Sequence, residues 1–403
     1  MKAKTERIYA LLFALFCFSI PFSQFGEAIP NIAAIPLIGL FPFVLNLKEI
    51  KKSLDRLALA FLVILAIILL ETLIFSRWED FKFFTKILVV PLVYLLSIPI
   101  KNKNNSLLAF LLGACTLMFL SYFRVLGYIF QSDGFDFSVG KFINEILLGD
   151  RPYVGFVYVL GVLLSAYFFL QKKKIWLKGL FLLSGVLFLS LILIISARLS
   201  MLTLFFLGFL SFFFTKKWKL SLLFIVGFLF SVFLLFKYNP NFIDRFYAGY
   251  KQKNYTLEKA LVMEPRYHIW DCAGDIVKNE NTFWKGIGFQ NTIEHLVKCY
   301  KTHNNFKSEE HREYFINSRF NTHNQFLGTY LGSGFFAVVL LSLFFILAFF
   351  RSRKNYFAFA SIVALFLFCL VENVLSRQMG CLLFGFVWVI AYAFQDKSKS
   401  DSA

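Results

Sequence analysis

Residues 57–76 read LALAFLVILAIILLETLIFS, an apolar run whose one charged side chain is Glu71. At a rise of about 1.5 Å per residue, a helix of this length crosses the hydrocarbon core of a bilayer, which is about 30 Å thick. The stretch therefore predicts a membrane-spanning helix.

Runs of similar length and composition recur from one end of the chain to the other. The 403 residues are 58% hydrophobic and 16% charged, and a soluble domain cannot bury that much apolar surface. We predict an all-α integral membrane protein with about 12 transmembrane helices. The first run is interpreted as a retained helix, because no small-residue cleavage site follows it. The predicted spans are 8–24, 28–46, 57–76, 83–100, 106–130, 153–170, 175–196, 199–215, 219–237, 325–350, 356–375 and 378–395.

The positions of lysine and arginine predict the orientation of these spans. If the amino terminus, with Lys2, Lys4 and Arg7, is cytoplasmic, every second joint between spans is both cytoplasmic and basic, as the positive-inside rule requires. Those joints read KEIKKSLDR, KNKNN, QKKKIWLK, TKKWK and RSRKN. The net charge of +18 is thus explained by topology, and no nucleic-acid partner is expected.

This orientation divides the chain and places its one long polar segment on the outer side of the membrane. We predict transmembrane helices 1–9 in 1–237, a periplasmic loop domain in 238–324, transmembrane helices 10–12 in 325–395 and a cytoplasmic tail in 396–403. Both termini are then cytoplasmic. A loop of this length between membrane helices is usually functional.

The loop domain carries its own helical and redox signals. Helical pieces are expected around 255–278 and 292–300, on either side of a GIGFQN turn. All five histidines of the chain fall in this domain. Its two cysteines, Cys272 and Cys299, would either form a disulfide or stay free, and the sequence leaves both open. Because no Cys or His spacing typical of a metal site occurs, we predict no metal and no cofactor.

Two arginines occupy positions at which a lipid-linked phosphate could bind. Arg198, in SARLS, falls in the tight turn between the predicted seventh and eighth spans. Arg266, in EPRYHIW, follows Pro265, which suits the first turn of a helix. Either could be an ordinary surface or snorkelling arginine, but a planar guanidinium also binds two phosphate oxygens at once.

His323, in NTHNQFL, lies at the start of the predicted tenth span. Asn321 or Thr322 would cap that helix and place the histidine in its first turn. A histidine there is often only a polar residue, yet a neutral imidazole oriented by Asn324 could remove a proton from a sugar hydroxyl. The glycines of the following GTYLGSG, 328–334, would let helices pack closely.

Two arginines and a histidine at one membrane surface suit glycosyl transfer from a lipid diphosphate, which needs cations on the leaving group and a base for the acceptor. On SARLS, PRYHIW, GIGFQN and THNQFL, and on the large loop after the ninth span, the chain resembles the O-antigen ligase and polymerase superfamily of polytopic glycosyltransferases. The resemblance implies a GT-C-like fold and an inverting, metal-independent transfer of a glycan from undecaprenyl diphosphate to an acceptor hydroxyl. In ligases that acceptor is lipid A-core.

The resemblance also implies roles for individual residues. Arg198 and Arg266 would bind the diphosphate, and His323 would activate the acceptor hydroxyl. Arg245, in IDRFY, and Arg319, in NSRFN, are secondary candidates for binding the diphosphate. The expected partners are the undecaprenyl-diphosphate-linked glycan donor, the lipid A-core acceptor and membrane lipids.

Several functions remain open at this point. A ligase is favoured over a polymerase, because polymerases of the superfamily tend to have two large periplasmic loops and the other outer segment here, 131–151, is short. Relatives that glycosylate protein, the O-oligosaccharyltransferases, are usually longer. A transporter for a lipid-linked solute would carry polar groups at mid-membrane depth, and a structural scaffold is a third class. The candidates for such polar groups are Glu71, Arg124, Glu372 and Asn373.

Overall fold

The computed structural model describes residues 2–131, 146–147, 149–214, 218–238, 264–280, 282–303, 306 and 308–393. Within these ranges the regular structure is entirely helical. Three short 3-10 segments cover Ile20–Gln24, Trp78–Asp80 and Val374–Ser376. The α-helices are α1 Lys2–Ser19, α2 Ala28–Val44, α3 Leu47–Ser53, α4 Arg56–Ile74, α5 Phe81–Ile87, α6 Val89–Ser97, α7 Asn104–Gln131, α8 Arg151–Gln171, α9 Ile175–Ile194, α10 Arg198–Phe214, α11 Trp218–Tyr238, α12 Pro265–Asn279, α13 Phe289–Thr302, α14 Glu309–Ser318, α15 Gln325–Ser352, α16 Tyr356–Val371 and α17 Gln378–Ala393.

Each predicted span coincides with a described helix or with two consecutive helices. The span predicted at 83–100 is divided into α5 and α6 near Leu88. Pro91 explains the division, because it has no N–H to donate to the carbonyl of Ile87, four residues earlier.

Six described helices are long and apolar enough to cross a membrane: α1, α4, α7, α8, α9 and α15. The pair α2 and α3, bent by 112°, would make a seventh span. Four further helices are apolar but shorter, at Arg198–Phe214, Leu222–Leu234, Tyr356–Val371 and Gln378–Ala393. The chain is therefore a multi-pass membrane protein, while the total of about 12 crossings, the GT-C-like fold and the orientation stay predictions.

The helices that form the bundle differ in how deeply they are buried. Helix α8 lies at the centre, packed against α7, α9, α10 and α16, and most of its side chains are buried. The outward faces of α9, α10 and α11 instead carry large exposed side chains such as Leu182, Phe206 and Phe230. In a membrane protein such apolar faces contact lipid. A helix can lie there because its backbone hydrogen bonds are formed within the helix.

Helices α12, α13 and α14 pack around a second, smaller core, and we call this unit, with the loops that join them, the cap. Its centre contains Ile269, Leu296, Tyr300 and Phe315. A disulfide joins Cys272 of α12 to Cys299 of α13, which answers the question that the sequence left open. The predicted helical pieces correspond to α12 and α13, although residues 255–263 lie outside the described ranges.

The sequence analysis did not foresee the third cap helix, α14. Its signals are nevertheless present in the chain. Ser308 is the N-cap, and its hydroxyl accepts a hydrogen bond from the backbone N–H of His311. Glu309 and Glu310 follow in the first turn, where acidic side chains interact favourably with the helix dipole.

The cap meets the bundle at a break inside α15. Ser333 and Gly334 depart from helical geometry, which leaves backbone groups of the preceding turn open to another partner. The loop 282–288 of the cap supplies that partner. The backbone N–H groups of Ile287 and Gly288 donate to the carbonyls of Leu331 and Gly332, at 2.7 and 3.0 Å. We call this contact, including Arg77 and Asp80 described below, the glycine junction.

Two glycines make this close contact possible. Gly286 has φ +56, and a Cβ there would lie 2.5 Å from the carbonyl carbon of Gly332. Gly334 has φ +73, and its Cβ would lie 2.6 Å from the carbonyl carbon of Trp284. Both positions therefore exclude larger residues on conformation and on space. The small residues of GTYLGSG thus admit a loop of the cap at this break.

Arg77 and Asp80, in the segment after α4, complete the junction. The Arg77 guanidinium donates to the carbonyls of Gly286 at 3.0 Å and Lys285 at 3.2 Å. The Asp80 carboxylate accepts from the first two backbone N–H groups of α13, at 3.0 and 2.8 Å. Burial raises the pKa of Asp80, although these two N–H groups and Arg77 oppose the shift. The segment 76–80, SRWED, therefore holds the cap because its side chains bind backbone groups of the cap.

Candidate active site

Arg198 lies at the corner between two bundle helices, as the sequence predicts. Helix α9 ends at Ile194, and Arg198 is the first residue of α10. Ser196, in the connecting turn, has a left-handed φ of 50° and is 2% exposed. The Arg198 side chain reaches the cap, where its Nη2 lies 3.5 Å from Oε2 of Glu264.

Arg266 approaches the same carboxylate from the cap. Pro265 occupies the first turn of α12, as predicted, and fixes the chain direction so that Arg266 follows in that turn. Its Nη1 lies 2.8 Å from Oε1 of Glu264, and its Nη2 lies 3.2 Å from the carbonyl oxygen of Val371. Glu264 thus bridges the two arginines that the sequence singled out.

Glu372 links this arginine pair to His323. It follows the last residue of α16 and its side chain is only 10% exposed. One carboxylate oxygen lies 3.5 Å from Nη2 of Arg266, and the other lies 3.1 Å from Nδ1 of His323. The five side chains of Arg198, Glu264, Arg266, Glu372 and His323 form a continuous series, which we call the ion chain.

The expected capping of α15 is wrong in its register. The N-cap is Asn324, whose Oδ1 accepts from the N–H of Leu327 at 3.0 Å, so His323 precedes the helix. His323 has a left-handed φ of 43°, and its N–H donates to Oδ1 of Asn321. The Asn324 side chain is thus used by the helix, and the imidazole contacts Glu372 instead.

Asn373 fixes the segment around His323. Its Oδ1 accepts hydrogen bonds from the Thr322 hydroxyl at 2.9 Å and from the Asn324 N–H at 2.8 Å. The Thr322 hydroxyl is therefore not available to cap α15. The carbonyl of Thr322 also accepts from the Trp270 indole at 2.9 Å, which joins this segment to α12 of the cap.

Of the two secondary arginines, the described Arg319 pairs with a residue outside the ion chain. Arg319 follows the last residue of α14 in a left-handed conformation, and it forms an ion pair with Glu294 on the surface of the cap. The hydrogen bond from Arg319 lowers the pKa of Glu294. Arg245 lies outside the described residues.

His268 and the two disulfide cysteines lie inside the cap. His268 is fully buried and stacks on Phe306, with ring centroids 4.6 Å apart, so it belongs to the core of the cap. Cys272, Cys299 and His303 offer ligand atoms within 4.8 Å of one another. The two sulfurs are joined in a disulfide, however, and a metal requires thiolates.

The sequence analysis missed the two carboxylates that connect the three predicted residues. Glu264 stands in the quoted EPRYHIW, two positions before Arg266, but nothing local shows that it also reaches Arg198. The sequence indicates Glu372 and Asn373 only as polar groups that a transporter would carry. They lie at the end of α16, beside His323, where they hold an imidazole and a guanidinium.

Chemically, this arrangement can bind an anion and accept a proton. Two guanidinium groups converge on one carboxylate. The oxygens of a diphosphate are also anionic acceptors, so the same two groups can bind them. The imidazole contacts a carboxylate through Nδ1, and no partner of Nε2 is found among the described residues. A carboxylate on one ring nitrogen fixes the orientation of the ring and leaves the other nitrogen for proton transfer.

A family model matches one segment of the chain. The model of the O-antigen ligase family matches residues 183–342, less than half of the chain, and the matched segment includes Arg198, the cap and His323. No curated protein matches the chain. Members of the family are glycosyltransferase-like enzymes of lipopolysaccharide biosynthesis. The match supports membership of the O-antigen ligase and polymerase superfamily.

Proposed function

We propose that the protein is an O-antigen ligase. It transfers a glycan from undecaprenyl diphosphate to a hydroxyl of lipid A-core, on the periplasmic face of the inner membrane. The observation that carries the proposal is the ion chain, because it joins two guanidinium groups and an imidazole through described contacts of 2.8 to 3.5 Å.

The donor diphosphate binds Arg198 and Arg266. Glu264 accepts from both guanidinium groups, so the two arginines already face one anionic position. A diphosphate entering this position exchanges with the Glu264 carboxylate or shares the guanidinium groups with it. Since the side chains of both arginines are partly exposed, at 41% and 29%, the exchange requires no unfolding of the cap.

His323 serves as the general base for the acceptor. With Nδ1 protonated and donating to Glu372, the lone pair of Nε2 is available to the hydroxyl of the acceptor sugar. The hydroxyl oxygen bonds to the anomeric carbon of the donor glycan, and its proton passes to Nε2. Glu372 is a positioning residue, because it holds the imidazole and also contacts Arg266.

The bond between the anomeric carbon and the diphosphate oxygen breaks as the new glycosidic bond forms. Undecaprenyl diphosphate leaves with the electron pair of that bond, and Arg198 and Arg266 stabilise the developing charge. Attack opposite the leaving group inverts the anomeric configuration. Because guanidinium groups neutralise the leaving group, the proposal requires no divalent metal.

The experiment is transfer by the purified full-length protein, from an undecaprenyl-diphosphate glycan to lipid A-core, with EDTA present. Arg198→Ala and Arg266→Ala should each lower kcat/KM by about 30-fold, which corresponds to about 2 kcal/mol of lost transition-state stabilisation. Arg319→Ala is the matched control, because Arg319 pairs with Glu294 on the cap surface. Dependence on added metal, or equal rates in all three variants, contradicts the proposal.

A genetic experiment separates a ligase from a polymerase. If the protein is the ligase, lipopolysaccharide from a deletion strain lacks all long-chain polymer on lipid A-core. A single glycan unit on each core would identify a polymerase instead.

A further inference from the structure

A second polar site lies beside the ion chain. A cavity of about 480 Å³ is lined by the charged side chains of Glu27, Lys86, Asp150 and Arg377 and by Tyr153. We call it the polar cavity. Its residues come from α5, from the start of α8 and from the segments that precede α2 and α17. Its volume is within the range of about 300–1,000 Å³ that is typical of small-molecule pockets.

One short segment connects the polar cavity to the ion chain. Glu372 contacts His323 and Arg266, and Arg377, five positions later, lines the cavity. Five residues span at most about 18 Å when fully extended, and Val374–Ser376 forms a 3-10 turn that shortens this distance. The Tyr153 hydroxyl also donates to a carbonyl of this segment, that of Asn373, at 3.4 Å.

The two cations of the cavity are engaged to different degrees. Arg377 forms an ion pair with Asp150, and its guanidinium lies 5.3 Å from the centre of the Tyr153 ring. The described contact of Lys86 is a single hydrogen bond from Nζ to the carbonyl oxygen of Ser376, at 3.3 Å. An ammonium group has three N–H donors, so Lys86 can still bind an anion.

We propose that the polar cavity binds a phosphorylated sugar of the acceptor glycolipid, with Lys86 on the phosphate. This inference rests on the proposed function. Lysine binds phosphate as a compact point charge, and the carboxylates of Glu27 and Asp150 accept hydrogen bonds from sugar hydroxyls. The segment 372–377 then separates the acceptor sugar from the donor diphosphate, and a neighbouring hydroxyl of the acceptor can reach His323.

The test is the binding of lipid A-core to the full-length protein in detergent, measured for wild type and for Lys86→Met. Lys82→Met is the matched control, because Lys82 is exposed on the same helix α5 and does not line the cavity. Phosphatase-treated lipid A-core is the second probe. We expect Lys86→Met to raise the Kd for the phosphorylated acceptor about tenfold, Lys82→Met to leave it unchanged and Lys86→Arg to restore most of the affinity. The treated acceptor should bind wild type and Lys86→Met equally weakly.

Three results would overturn the inference. They are equal binding of the two acceptors by wild type, equal Kd values in Lys86→Met and Lys82→Met, and no binding of lipid A-core at all. The transfer assay separates this inference from the proposed function. If the acceptor binds through Lys86 but no glycan is transferred, the proposed function fails and the binding site stands. If transfer depends on His323 but not on Lys86, the function stands and the site is excluded.

Discussion

The cap is attached to the helix bundle at two places that are built in different ways. The ion chain joins them through charged side chains, and Arg198 and Glu264 remain 41% and 33% exposed. The glycine junction joins them through backbone hydrogen bonds of 2.7 to 3.0 Å, at positions where even a Cβ at Gly286 would collide.

The two attachments therefore have different roles: the glycine junction holds the cap in place, and the ion chain supplies the side chains for chemistry. Partly exposed ion pairs contribute only about 0–1 kcal/mol each, so their partners can be exchanged for those of an anionic substrate. The backbone contacts at the glycine junction have no such freedom. We infer that the junction sets the position of the cap, and that the ion chain can therefore bind and release a diphosphate without losing that position.

The largest expected effect comes from removing the proposed base at the ion chain. His323→Asn should lower kcat about 10³-fold, because a general base contributes about 10²–10⁴-fold to the rate. Asparagine tolerates the left-handed φ of 43° at this position, so the melting temperature should not change. Transfer kinetics measure the first quantity and a thermal melt the second. His295→Asn, in helix α13 of the cap, is the control, and comparable activity in both variants would exclude His323 as the base.

Adding one methyl group at Gly286 tests the glycine junction. Gly286→Ala should reduce the free energy of unfolding by about 4 kcal/mol, since backbone strain at a positive φ and overpacking each cost about 1–3 kcal/mol. Gly274→Ala is the control, because a Cβ on that cap residue meets no atom within 4 Å. Denaturant or thermal unfolding of both variants measures the difference. Equal stabilities would mean that the junction does not position the cap.

Removing the disulfide tests whether the stability of the cap and the chemistry of the ion chain are independent. Replacing Cys272 and Cys299 by serine should lower the free energy of unfolding by about 3 kcal/mol, because the cross-link restricts the unfolded chain. Well below the melting temperature, the transfer rate should stay that of the wild type. Cys115→Ser, which removes a free cysteine of α7, is the control. A lost rate in a folded double variant would show that the cap core also controls the ion chain.

The smallest effect is expected at the edge of the glycine junction. Asp80→Asn keeps an oxygen that can accept from one of the two backbone N–H groups at the start of α13. The loss of the second bond should cost about 1 kcal/mol, as for a weakened helix cap. Because burial raises the pKa of Asp80 in the folded protein, the folded state binds this proton more tightly than the unfolded chain, so the wild type gains stability over Asp80→Asn as the pH falls through that pKa. Thermal melts at two pH values measure this difference, and a cost that becomes smaller at low pH would contradict the raised pKa of Asp80.

Local sequence signals predicted much of this architecture. Apolar runs located the helices of the bundle, Pro265 located the start of α12, and the absence of a linker located Arg198 in a tight turn. These features depend on residues close together in the chain, where periodicity and capping preferences act.

Long-range contacts could not be predicted from the same signals. The carboxylate of Glu372 reaches His323 and Arg266 only because α16 ends beside the cap. The break in α15 exists because a loop of the cap supplies hydrogen-bond partners there, and GTYLGSG alone is equally compatible with helix packing. Asn324, rather than Asn321 or Thr322, caps α15 because Asn373 binds Thr322 from a distant segment.

The most direct measurement is a cryo-EM structure of the full-length protein with a polyprenyl-diphosphate glycan analogue whose anomeric oxygen is replaced by a methylene group. The account predicts diphosphate oxygens within about 3.5 Å of both Arg198 and Arg266, with the anomeric carbon facing Nε2 of His323. A diphosphate bound away from these two arginines, or an anomeric carbon on the side opposite His323, would contradict it.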